Sequence, residues 1–104
     1  MPKAANTDAG LIKLLFQTAD DFRLIPRRVV VTDANYLNVT NPRGAKTRRI
    51  FAVLARTLDD GSGKCGKQMV QFDQDFRPEY NAWGAAYVQN IGAITPIQCS
   101  AIGK

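Results

Sequence analysis

The strongest constraint on the fold is a turn cluster, Asp59-Asp60-Gly61-Ser62-Gly63, set between two stretches of β-compatible sequence. Glycine supplies left-handed backbone at no steric cost, and aspartate and serine side chains hydrogen-bond nearby main chain, so the chain is expected to reverse here. On the C-terminal side, Lys67 to Asp73 alternates, with Val70 and Phe72 on one face against Met69 and Gln71 on the other. That is the period of a strand. On the N-terminal side, Lys46 to Leu58 is ambiguous, because Ile50, Val53, Leu54 and Leu58 also fit a helix. Electrostatics decide the matter. A helix would place Lys46, Arg48 and Arg49 at its positive N-terminus and Asp59 and Asp60 at its negative end, each arrangement costing about a few tenths of a kcal/mol or more. The segment is therefore expected as a strand, and the two strands form a long hairpin with a basic tip.

Around this hairpin the other elements are read in turn. Residues 1–7 are a polar arm. A helix is expected over residues 8–24, capped by Thr7 or Asp8, with Leu11, Leu14, Leu15, Thr18 and Phe22 at helical spacing and Ile12, Phe16 and Ala19 widening the stripe. Pro26 is expected to end it. Val29 to Thr32 and Tyr36 to Thr40 read as strand, separated by Asp33-Ala34-Asn35 as a turn or as a bulge in one bent strand. Asn41-Pro42-Arg43-Gly44 is a turn. Trp83, Ala85, Tyr87, Gln89 and Ile91 share a strand face, and the apolar run Ile94 to Ile102 carries Pro96 where an edge strand tolerates it.

Composition points the same way. Eight of the nine acidic residues are Asp, and they come with eight Gly, five Pro and six Asn, residues of turns and caps rather than of exposed helix faces. The expectation is a single α+β domain, mostly β, over residues 1–104. One N-terminal helix packs on a small antiparallel sheet or barrel of about five strands, with the β-rich core over residues 27–102.

The 104 residues contain no histidine. This removes Ser-His-Asp and Cys-His nucleophilic sets, the usual zinc ligands, and the commonest general base near neutral pH. A non-enzymatic role is expected, without cofactor or metal. Gly61-Ser62-Gly63-Lys64 lacks the spacing of a phosphate-binding loop, and Asp73 and Asp75 lack that of a calcium loop. Cys65 and Cys99 have no further soft ligands, and two free thiols, with Cys99 buried, are favoured over a bridge. No run reaches 18 apolar residues and no leader with a cleavage site is visible, so a cytoplasmic or virion location is expected, without membrane contact.

The positive charge is the clearest functional signal. Between Arg23 and Arg56 lie seven arginines and Lys46 against a single acid, Asp33, a net of +7, while the flanks on either side each carry −1. Guanidinium groups suit carboxylate or phosphate partners. Arg27, Arg28, Arg43, Lys46, Arg48, Arg49 and Arg56 are therefore the candidate residues for an anionic partner, and Tyr36 and Phe51 the candidate stacking platforms. Two roles follow. One is a structural or assembly subunit, for instance an accessory protein of a viral or phage particle, that binds an acidic surface of other protein subunits in a homo- or hetero-oligomer through its Arg-rich segment. The other is a single-stranded nucleic-acid-binding module on an OB-like barrel, and a small inhibitor protein shares most of the same features.

Overall fold

A computed structural model describes residues 1–103. The hairpin dominates it. Strand β3 (Lys46–Thr57) and strand β4 (Cys65–Arg77) pair antiparallel from Thr47↔Asp75 to Thr57↔Cys65. Gly61 and Gly63 take φ of 77° and 75° in the connecting turn, where Asp60 accepts from the Ser62 amide and Leu58 N–H donates to the Lys64 carbonyl. The strand reading of Lys46 to Leu58 is thus borne out.

Both edges of this pair are built from short pieces. On the β3 side, β1 (Arg28–Val31) and β2 (Leu37–Thr40) follow each other along the same strand. Between them, residues 32–36 stand against only Phe51 and Ile50, so the Asp33-Ala34-Asn35 segment is a wide bulge in one bent edge. Asp33 holds it by accepting from the Phe51 amide at 2.9 Å. On the β4 side run β5 (Ala82–Trp83), β6 (Tyr87–Ile91) and β7 (Thr95–Ile97). Pro96 lies in β7, on the sheet edge, where a missing amide hydrogen costs no ladder bond. Among the described residues the result is one open antiparallel sheet of seven strands, with 46 Å as their longest extent. The fold is α+β and mostly β, as expected. The count of about five strands and the barrel alternative are corrected: the edge segments are too short and too offset to meet and close.

Helix α1 (Ala9–Asp21) covers one face. Asp8 caps it, its carboxylate accepting from the Leu11 amide at 2.7 Å. Leu15 and Ala19 pack onto Val29, Val31, Ile50, Ala52, Leu54, Val70 and Phe72, with Leu24 closing the group. The helix stops before Pro26. Leu24 N–H bonds to the Ala19 carbonyl and Arg23 N–H to that of Asp20, with Arg23 at φ 67°. This is a Schellman end in which an arginine occupies the left-handed position that glycine usually takes.

The cysteines overturn the free-thiol expectation. Cys65 and Cys99 form a disulfide. The cause is register: β7 pairs Ile97 with Cys65, and the 3-10 turn Cys99–Ala101 then brings Cys99 back over the start of β4. No helix among the described residues is long and apolar enough to cross a membrane.

Candidate functional site

Strand alternation gives the sheet a second face, opposite the helix. Its hairpin end is closed by a small cluster of Ala55, Cys65 and Ile102, against which Met1, Ile97 and Cys99 pack. Arg28 fastens this closure by donating to the Ile102 carbonyl. Next to it, Pro2 of the N-terminal arm borders Val53 and Met69, and Val30 and Val53 on the same face are buried. One transverse row there runs Leu37, Arg49, Asp73, Tyr87 across four strands. Neighbouring positions on the same face are Val39, Phe51, Met69, Gln71, Asp75 and Asn90. Leu37 is 59% exposed and Met69 48%, large apolar side chains left in water.

Charge in the middle of this face is compensated locally. Arg49 donates two parallel hydrogen bonds to Asp73, Nε to Oδ1 at 3.0 Å and a terminal nitrogen to Oδ2 at 3.2 Å. Asp73 is 3% exposed and Arg49 29%, so the carboxylate depends on its partner and the guanidinium still reaches solvent. Asp75 accepts from the Thr47 hydroxyl and the Tyr87 phenol, both at 3.0 Å. Loss of solvent around the Tyr87 phenol, followed by its bond to Asp75, pushes its pKa up to about 12. The phenol is therefore a neutral donor throughout the physiological range.

The candidate cations do not gather into one patch. Arg56 is buried, donating to the Leu24 carbonyl and both oxygens of Asp59. Arg28 serves the C-terminal clamp. Arg48 lies on the helix side, with its guanidinium carbon 4.2 Å from the Tyr36 ring centre and 4.8 Å from that of Trp83, and Nε bonded to Gln74. Arg27 is exposed, with a terminal nitrogen 3.2 Å from Cys65 Sγ. Arg43 and Lys46 are exposed at the β2–β3 turn, with no side-chain partner among the described residues. They lie at the opposite end of the hairpin from Arg27.

The stacking candidates are divided too. Tyr36 packs against the helix-side core and is covered by Arg48, while burial pushes its phenol pKa up. Phe51 is on the other face. Sequence reasoning missed the Leu37 to Tyr87 row, because it exists only once the strand registers are known. The alternation of Met69 and Gln71 against Val70 and Phe72 was the one signal of it. Among known proteins, the chain matches no family, no curated protein and no solved structure.

Proposed function

We propose that the protein is a non-catalytic assembly subunit whose helix-free sheet face packs against a second copy of the chain. The observation that carries this reading is the Leu37–Arg49–Asp73–Tyr87 row, with Met69 and Phe51 beside it. It combines exposed apolar side chains with a charge pair already neutralised internally, the composition of an interface centre rather than a solvated face. A chain of net charge +5 repels its copies, but Arg49 in this row is neutralised by Asp73, and the exposed bases Arg43, Lys46 and Arg27 stand toward the ends, which leaves Lys67 as the cation beside Met69. Those bases remain the groups for acidic neighbours in a larger particle. Disulfides persist in oxidising surroundings such as virion surfaces, so of the two expected locations a particle component suits the Cys65–Cys99 bridge better than a reducing cytoplasm.

Light scattering after size exclusion, over a concentration series, tests the reading. A concentration-dependent dimer is expected, and Leu37→Asp with Met69→Lys should make it monomeric without altering the circular dichroism spectrum. A parent chain that stays monomeric at about 100 μM, a concentration that populates even weak dimers, sinks it.

The nucleic-acid alternative is favoured by one observation only, the unpartnered pair Arg43 and Lys46 beside the Arg48 stack. It requires oligonucleotide affinity that falls steeply with salt and is lost in Arg43→Glu with Lys46→Glu.

A further inference from the structure

We propose that the Cys65–Cys99 bridge is a thiol-exchange site: a small thiolate attacks Cys99, Cys65 departs as a thiolate held by Arg27, and the C-terminal turn is thereby released.

The two sulfurs have different surroundings. Both border an open hollow of about 670 Å3 that Lys64, Pro96, Gln98 and Ser100 also line, but Cys65 is 1% exposed at the start of β4 whereas Cys99 is only half-buried. An incoming thiol reaches Cys99 first. Exchange is fastest when the departing sulfur is stabilised as an anion. Arg27 meets that need, since its terminal nitrogen is 3.2 Å from Cys65 Sγ and its guanidinium stays charged at any working pH. Lys64 at the rim of the hollow adds positive charge toward an anionic thiol.

The steps balance with a thiol as the named reductant. The first thiolate forms a bond to Cys99 Sγ, and the electron pair of the protein S–S bond leaves on Cys65. A second thiolate, or the second sulfur of a dithiol, attacks the added sulfur and expels Cys99. Two reductant thiols become one disulfide, and their two protons end on Cys65 and Cys99.

Release has a defined structural consequence. Without the bridge, the turn Cys99–Ala101 is held by Ile102 packing on Ala55 and by the Arg28 bond to the Ile102 carbonyl. Those contacts cover one end of the helix-free face, so exchange leaves that cover held by non-covalent contacts alone. The inference does not depend on what docks there.

The test uses the oxidised full chain and glutathione, quenched at intervals with N-ethylmaleimide and mapped by peptide mass spectrometry. Glutathione is expected on Cys99, with Cys65 alkylated. Glutathione found first on Cys65 overturns the proposal. Arg27→Gln should slow the reaction several-fold, and Arg43→Gln, which removes an equal charge at the far end of the hairpin, should not. Equal rates in Arg27→Gln and the parent chain also overturn it. The mapping needs no variant, so a folding defect in Arg27→Gln leaves the first arm decisive.

Discussion

Arg49 and Asp73 face each other across β3 and β4 through two parallel hydrogen bonds, and only the arginine retains access to water. The pair is therefore asymmetric. Arg49→Met strands a buried carboxylate and should cost about 3 kcal/mol or more, within the range for breaking a buried ion pair. Asp73→Asn leaves a guanidinium that can hydrate, and it should cost less. Urea unfolding of both variants checks the order, and a larger loss in Asp73→Asn contradicts it.

Arg48 provides a spectroscopic prediction. Trp83 is the chain's one tryptophan, with the Arg48 guanidinium over its ring and Phe76 edge-on at 5.3 Å. Arg48→Ala should change the tryptophan emission and cost about 1–2 kcal/mol from the lost contacts with two rings. An unchanged spectrum means that the stack does not persist in solution.

The helix end carries removable strain. Arg23 adopts φ 67° to complete the Schellman bonds, a conformation glycine adopts freely. Arg23→Gly should therefore stabilise the protein, by about 0.5–1 kcal/mol. Thermal unfolding reads the sign, and a lower midpoint contradicts the assignment.

Tyr87 gives a pH dependence. Its phenol keeps its proton to about pH 12 in the folded chain, against 10.0 as its ordinary value. A raised folded pKa on an acid that is neutral when protonated favours folding while the proton is bound. The contribution is complete below pH 10 and is lost as pH rises toward 12. Absorbance titration near 295 nm should show Tyr87 ionising late, and Tyr87→Phe should flatten the fall in stability over that window.

Much of the fold was legible in the sequence because local chemistry fixes it. The Asp59 to Gly63 turn, the dipole argument against a Lys46 to Leu58 helix, and the alternation at Val70 and Phe72 together give the hairpin and its buried side. What was not legible depends on register. Arg49 and Asp73 are 24 residues apart, and nothing local announces that Thr57 opposite Cys65 brings them together. The same holds for Cys99, carried to Cys65 by β7. Counting charge along the chain gave Arg23 to Arg56 a net of +7, yet Arg49 and Arg56 are paired with Asp73 and Asp59, acids outside that segment. The helix end at Arg23 was hidden because Pro26 supplies a stronger stop signal than an arginine in glycine's place.

Hydroxyl-radical footprinting over a concentration series tests the central claim most directly, with Met69 and Tyr87 on the helix-free face and Tyr80, exposed in the turn after β4, as an internal reference. Packing of one copy on another through that face predicts that Met69 and Tyr87 become protected as concentration rises while Tyr80 does not. Met69 and Tyr87 oxidised equally at all concentrations, in step with Tyr80, would contradict it.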